Sequence, residues 1–558
     1  MINIKLILNK KAIMCKRKIL IIFQIVVAIT VQAQVNMDAI QQMIKISRTE
    51  IPLQYPDYIK DFYRSNGFNY VWLNSENDTE YMLQLLQTAA DFGLEEEDYQ
   101  FEHIQSFRNT HFIRPTHLDS LATEVRLTDA AIHFFKDIAY GNRKPAIGFN
   151  GLNYDPDCFD IPALMAAALA ENRLSRLVKD IEPELPGYQT LKDWLNLYNQ
   201  SIKDSAFREI KITSTRSNII NQPLIRRLYY LGIIDSLNVS YSDAALREKV
   251  RSAQRLFNLM SDGILNKLTI EALNTSLFTR IEEVRAAINT IRWLRCASMH
   301  TPVFVVNIPS ANLLVLHNGK VLQQSKVIVG KRSTPTPTLA STITDVVLYP
   351  YWNVPNKIAT RELLPLIQKN SGYLAANNMQ VLNKSGRILD PGSINWNSLS
   401  PSYFPYVLRQ STGCDNSLGL VKLNFYSPYS VYLHDTPWKV LFNLNKRYYS
   451  HGCIRVEKAM ELGRFLLKGN TIAIDTLEEK GCLRNQAPLP IPVTGHTPVF
   501  VLYNTAWFDS TGIVQFNEDV YKKINFDQIN FKKATKKVTT LQLNNSTKII
   551  SKINNTHD

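Results

Sequence analysis

A chain of 558 residues is too long for one hydrophobic core, and its 45% hydrophobic and 20% charged content is that of folded protein, so two to four domains are expected. A formal net charge of +14 on a chain that opens with an export-like segment points to an anionic envelope polymer and away from nucleic acid. The six cysteines are too scattered to suggest a disulfide framework, and the five beyond Cys15 leave at least one thiol free.

Lys16-Arg17-Lys18 precedes the apolar run Ile19 to Thr30, and Val31-Gln-Ala33 supplies small or medium residues before Gln34. This is the pattern of a secretory signal over residues 1–33. The apolar run is shorter than the about 20 residues of a membrane span. The expected destination is therefore the periplasm or cell envelope, with membrane attachment only if the segment is retained.

From residue 34 to 215 the apolar spacing is mostly helical, as in Tyr81 to Leu94 and Leu164 to Ala170, and no cluster of acids, histidines or cysteines asks for chemistry. A helical scaffold is expected. Leu224 to Gly232, Ala244 to Leu259 and Leu268 to Leu273 then read as three short helices around Ser261-Asp-Gly263, a small module over 216–276. A connecting helix is expected over 277–300.

Near Thr301 the period changes to two, and Asn318-Gly319 between apolar runs is a hairpin signal. Helical spacing returns inside this β-rich segment, in Glu362 to Gln368, so 359–410 reads as an inserted helical lid; a functionless surface excursion stands beside that reading. From Lys522 lysines dominate among Asn and Thr, which suggests a disordered basic tail over 524–558. The fold class is multidomain α+β, with a mainly-β domain over 301–523.

Chemistry concentrates in two stretches of that domain. Val421, Leu423 and Phe425 mark one strand, Ser427-Pro428 a turn, and Val431 and Leu433 the returning strand, so the pleat sets Tyr432 and His434 together on the opposite face. Downstream lies Ser450-His-Gly-Cys-Ile-Arg455. The apolar spacing after Cys453 reads as helix, which places the thiol just before a helix N-terminus. The partial positive charge there and Arg455 favour a thiolate. Moving a thiol from about 8.5 to about 7 takes roughly 2 kcal/mol. Three readings compete: an inert buried cysteine, a zinc site of His434, His451, Cys453 and Cys414, and a nucleophile with His434 as base. No compact Cys-x-x-Cys or His-x-x-x-His pair supports zinc. No cofactor is indicated.

Leu433-His-Asp-Thr-Pro437 followed by Ser450-His-Gly-Cys-Ile-Arg455 resembles the signature of the YkuD-type L,D-transpeptidases, and Gly413 to Lys422 is similar to the family's glycine and asparagine stretch, with Cys414 where a proline is common. The module with Val250, Gln254, Asp262-Gly263 and Thr269 is similar to the peptidoglycan-binding module, although Ala253-Gln254 stands where that family has Phe-Gln. With Asp91 to Leu94, Pro350 to Pro355 and Thr505 to Ser510, most of residues 40 to 523 look like the large YcbB-type members. The resemblance implies acyl transfer. Cys453 attacks a tetrapeptide stem of peptidoglycan at its diaminopimelate carbonyl, expels D-alanine, and passes the thioester to an amine of another stem in a 3→3 cross-link. In that scheme His434 is the base, and the N–H groups of Gly452 and Cys453 with the Tyr432 hydroxyl hold the oxyanion. His451 shapes the loop, while Arg455, Trp352 and Asn416 meet substrate. The implied partners are stem peptides, glycan and carbapenem-type inhibitors. Related carboxypeptidase or protein-attachment enzymes, and a non-catalytic wall-binding protein, remain as alternatives.

Overall fold

The computed structural model describes residues 37–38, 40–42, 52–102, 104–105, 117–213, 217–480 and 486–524. The signal-like segment, Cys482 and the tail beyond Ile524 lie outside them. Among the described residues no helix is long and apolar enough to cross a membrane.

The chain divides into two compact units, one drawn from Met1–Ala90, Leu94–Ile138 and Phe159–Glu182, the other from Asp91–Gly93, Ala139–Cys158 and Pro183–Asp558. The first is helical. Its elements are α1 (Pro56–Ser65), α2 (Glu76–Gln87), most of α3 (His117–Tyr140), α4 (Ile161–Ala170) and α5 (Leu174–Ile181). Pro56 opens α1, where its missing N–H costs nothing, and the Ser75 hydroxyl caps α2 by accepting from Asp78 N–H at 3.3 Å. Phe62, Met82, Leu86, Phe134 and Phe135 are fully buried. Among them Glu124 accepts from the N–H groups of Val71, Trp72 and Leu73 and from the Tyr63 hydroxyl at 2.6–3.1 Å. Burial pushes this carboxyl up to about 7 against those stabilising bonds.

The second unit begins its helical part with α6 (Pro186–Lys203), followed by α7 (Ser217–Tyr230), α8 (Asp243–Leu256), α9 (Lys267–Leu273) and α10 (Leu277–His300). Gln254, fully buried, stitches the α7–α9 module. Its Nε2 lies within 3.2 Å of Asp262 Oδ1, Ile264 O and Thr269 Oγ1, and its Oε1 accepts from Gly263 N–H at 2.8 Å. The expected connector α10 is a core element, buried on nearly every side, with Arg280 and Glu283 paired at 2.7 Å. Cys158 and Cys296 form a disulfide, and Cys414 is also disulfide-bonded. The expectation of no disulfide framework is thereby corrected: cysteine spacing cannot show that a remote loop folds back onto α10. Among the described residues Cys453 alone carries a free thiol.

The strands are β1 (Phe149–Asn150), β2 (Val303–Asn307), β3 (Asn312–His317), β4 (Lys320–Gly330), β5 (Leu339–Leu348), β6 (Trp352–Asn353), β7 (Met379–Leu382), β8 (Ile388–Leu389), β9 (Val407–Gln410), β10 (Val421–Phe425), β11 (Leu433–His434), β12 (Tyr448–Ser450), β13 (Ile454–Val456), β14 (Leu489–Pro492), β15 (Pro498–Leu502), β16 (Ala506–Phe508) and β17 (Val514–Phe516). The main sheet runs β5-β10-β11-β13-β4-β3-β2-β15, and β15 pairs again with β5, so the order closes on itself. Asn318 and Gly319, both at positive φ, make the tight β3–β4 turn that the sequence announces. Val303, Val305, Leu314 and Leu316 pack with α10, whereas Phe304, Val306, Leu313 and Val315 share a core with Leu423, Leu433, Ile454 and Val456. Helices α11 (Ala459–Leu466) and α12 (Ile472–Lys480) follow β13.

The insertion carries the expected helix, unbroken from Asn356 to Lys369 through a π-helical stretch at Ala359–Leu363, and adds a part that was not expected, a separate sheet of β6, β9, β7 and β8. Leu364, Ile367, Leu374, Val381, Trp396 and Leu408 give it its own core. Its strands have two to four residues, too short for a period-two pattern to stand out.

Candidate active site

Strand register assembles the site. Lys422 of β10 lies opposite His434 of β11, and His434 lies beside Arg455 of β13. Alternation sends Leu423, Leu433, Ile454 and Val456 to the core, leaving Lys422, His434 and Arg455 on the other face. Ile454 N–H donates to Tyr432 O at 3.0 Å, which carries the register back to Cys453 and Tyr432. The Tyr432 and His434 rings meet edge to face at 5.7 Å, and Lys422 Nζ sits 4.1 Å from the Tyr432 ring centre. The sequence reading left Lys422 out; its place opposite His434 in the hairpin was the available signal.

Cys453 occupies the turn into β13, and the first helix after it starts six residues on, at Ala459. The expected helix-terminus thiolate is therefore corrected. Burial raises the thiol, opposed by hydrogen bonds from the Tyr432 N–H and hydroxyl and by the charges of Lys422 and Arg455. Its Sγ lies 3.8 Å from Ser430 O, the geometry of a thiol donating to a carbonyl. Gly452 has φ +120°, a backbone that disfavours any side chain, and its N–H donates to Ser450 Oγ at 3.1 Å. The Ser450 hydroxyl donates to Cys453 O, and Thr336 Oγ1 donates to Gly452 O at 2.7 Å. The Gly452 N–H is thus spent within the loop and is not an oxyanion donor. The Cys453 N–H has no partner among the described residues, and the Tyr432 phenol, driven far up by burial, stays protonated.

His434 is buried, and desolvation followed by the charge of Arg455 lowers it to about 3. Its Nδ1 lies 2.6 Å from Asp435 O, so in the neutral ring Nδ1–H donates there and the Nε2 lone pair stays open. Asp435 is itself fixed by Leu420 N–H at 3.0 Å and by Lys439. A Cβ at Gly419 would come within 2.3 Å of the Asp435 carboxylate, which explains a glycine there.

His434, Tyr432, Cys453, Arg455, His451 and Trp352 all line one cavity of about 790 Å³. His451 Nε2 meets Glu362 Oε1 of the insertion at 2.9 Å, so it ties the cysteine loop to the insertion. The Arg455 guanidinium lies 5.1 Å from the Trp438 ring centre, and Trp352 pairs with Gln410 through β6 and β9. Asn416 is corrected. It is fully buried, its Nδ2 reaches Pro350 O and Ser411 O at 3.1 and 2.8 Å, and its Oδ1 accepts from Leu418 N–H at 2.7 Å. Those bonds hold the loop and leave nothing for substrate. Zinc through Cys414 is closed off by that residue's disulfide.

Residues 301–474 match the model of the L,D-transpeptidase catalytic domain, YkuD. The chain carries a YkuD L,D-transpeptidase catalytic domain. Residues 57–195 match a scaffold domain and 220–273 a putative peptidoglycan-binding domain. A putative L,D-transpeptidase of Haemophilus influenzae is 35% identical over 280 residues, 49% of this chain and 56% of the relative, so the chain spans little more than half of that relative's length. Among solved structures, an L,D-transpeptidase from Mycobacterium smegmatis is 15% identical over 36% of this chain and 58% of its own, with a TM-score of 0.19. One from Xylanimonas cellulosilytica is 14% identical over 54% of this chain and 100% of its own, with a TM-score of 0.15. The YkuD match brackets both halves of the site: β10–β11 with His434, and the Ser450–Arg455 loop of the transpeptidase domain with Cys453.

Proposed function

We propose that this chain forms 3→3 cross-links in peptidoglycan through a Cys453 thioester. The observation that carries the reading is the shared face: a base with an open Nε2, a thiol and an arginine at one cavity, inside a transpeptidase domain. His434 takes the Cys453 proton as sulfur adds to the diaminopimelate carbonyl carbon of a tetrapeptide stem. The oxyanion rests on the Cys453 N–H and the Tyr432 hydroxyl. The carbon–nitrogen bond to D-alanine breaks as His434 returns the proton to the leaving amine. An acceptor amine then adds to the thioester, gives its proton to His434, and expels the thiol, which that proton restores. Arg455 pairs with a stem carboxylate and Trp352 packs against the stem. The 220–273 module holds glycan, and the protein works in the periplasm or cell envelope after export.

A related carboxypeptidase would use the same thioester with water as acceptor, an attachment enzyme would use a protein amine, and a wall-binding protein would form no thioester. Incubation of the full chain with disaccharide-tetrapeptide separates them. The expected products are a cross-linked dimer and free D-alanine, with an acyl-enzyme mass that vanishes in Cys453→Ala. Trimmed tripeptide alone would favour the hydrolase. Because a thiol nucleophile of this kind also opens β-lactams, a carbapenem adduct on Cys453 is expected in the same mass spectra.

A further inference from the structure

Charge in the catalytic cavity is unevenly satisfied. Lys331, Lys357, Arg361 and Arg455 line it, and none makes an ion pair among the described residues. Of the two acids on its wall, Glu362 is spent on His451. The other, Asp415, has no side-chain hydrogen bond or ion pair among the described residues, and its Oδ1 is sealed from solvent without a donor. The backbone that carries this carboxylate is held on both sides. Cys414 before it is disulfide-bonded, Asn416 after it is locked to three backbone groups, and Asp415 O accepts from Gln410 Nε2 at 3.0 Å. Asp415 is partly exposed on this wall and its other oxygen is not sealed, so a cation entering the cavity can pair with it.

We propose that Asp415 binds the side-chain ammonium of a diamino acid in the stem peptide, a specificity-determining contact that rests on the transpeptidase reading above. Such a side chain ends in an ammonium and a carboxylate on one carbon. The unpaired lysine and arginine groups suit the carboxylate, and Asp415 supplies the one unspent negative charge for the ammonium. The ammonium belongs either to the donor stem, as it acylates Cys453, or to the acceptor, which then leaves its extra proton on the Asp415 carboxylate before it adds to the thioester as the neutral amine.

Binding is measured first on the Cys453→Ala background, where no chemistry occurs, by calorimetry with tetrapeptide stems whose side-chain amine is free or N-acetylated. The free amine should bind about tenfold more tightly, and Asp415→Asn should bring the two together while Asp415→Glu keeps part of the preference. With active enzyme, loss of the preference during acyl-enzyme formation assigns the contact to the donor. An unchanged acylation with about a tenfold higher acceptor KM assigns it to the acceptor. Equal behaviour of Asp415→Asn and wild type in binding and in both kinetic arms overturns the proposal. An amine preference that depends on Asp415 without any thioester would instead sink the transpeptidase reading and leave the contact standing. Iodoacetamide alkylation of Cys453 at the wild-type rate checks that Asp415→Asn is folded.

Discussion

Two buried titratable groups, Glu124 in the helical unit and His434 in the catalytic face, meet the cost of burial in opposite ways. Glu124 accepts four hydrogen bonds, two on each oxygen, and has no capacity left. His434 makes one, through Nδ1 to Asp435 O, and keeps Nε2 open toward a cavity. Both shifts come chiefly from desolvation, yet only one of the groups keeps a lone pair open toward a cavity. The same contrast separates Gln254, whose amide is consumed by its own module, from Asp415, and Asp415 from its neighbour Asn416. A perturbed pKa does not by itself mark a functional group here. In the reading proposed above, an unfilled hydrogen-bonding position beside a cavity does.

The comparison breaks most visibly at the open group. If His434 is the base proposed above, His434→Gln should slow Cys453 acylation by about 10²–10⁴-fold while leaving the melting curve near wild type, because a glutamine can replace the Nδ1 bond to Asp435 but not the base. Since burial holds His434 near 3, acylation by the wild type should show no acid limb at the ordinary imidazole range near 6.5. A limb there would mean that the ring is solvated in the working enzyme. At the closed group the roles reverse. Glu124→Ala strands three backbone N–H groups and should cost on the order of 3 kcal/mol of stability, read by chemical unfolding of the full chain, with the acylation rate of Cys453 unchanged.

A smaller effect should come from the link between the insertion and the cysteine loop. Glu362→Ala removes the hydrogen bond to His451 and should raise the ratio of hydrolysis to transfer by about two- to fivefold, on the order of 1 kcal/mol, by letting water reach the thioester. Product ratios on tetrapeptide would show it. An unchanged ratio would make the insertion a wall rather than a closure.

Which of these features the sequence disclosed follows from range. The Asn318-Gly319 turn, the alternation of Val421 to Phe425 and the pairing of Tyr432 with His434 depend on neighbours within a hairpin, and all were legible. Cys453 was misplaced onto a helix start because β13 is only three residues long and abuts α11, so buried Ile454 and Val456 merge with Ala459 and Leu462 into one apparent helical stripe. Asn416 and Asp415 are adjacent and both polar. Their different fates depend on Pro350, Ser411 and the insertion's root at Gln410, which no local pattern reveals. The disulfide at Cys296 spans 138 residues and is invisible for the same reason.

The gentlest test of the contrast is pH. Glu124 lies at about 7 in the folded chain against an ordinary value of 4.5, so the native state holds this proton more tightly than the unfolded state. Its contribution to stability is complete below pH 4.5, declines as pH rises toward 7, and is constant above, because only in that interval do the two states differ in bound protons. Exchange protection of the Val71, Trp72 and Leu73 amides, corrected for intrinsic rates, should fall across the same interval, and Glu124→Gln, neutral throughout, should flatten the slope. A wild-type profile already flat from pH 4.5 to 7 would mean that the four donors outweigh burial and keep the native carboxylate ionised. Glu124 would then be fixed by its hydrogen bonds alone, and the likeness to His434 in desolvation would fail at its first premise.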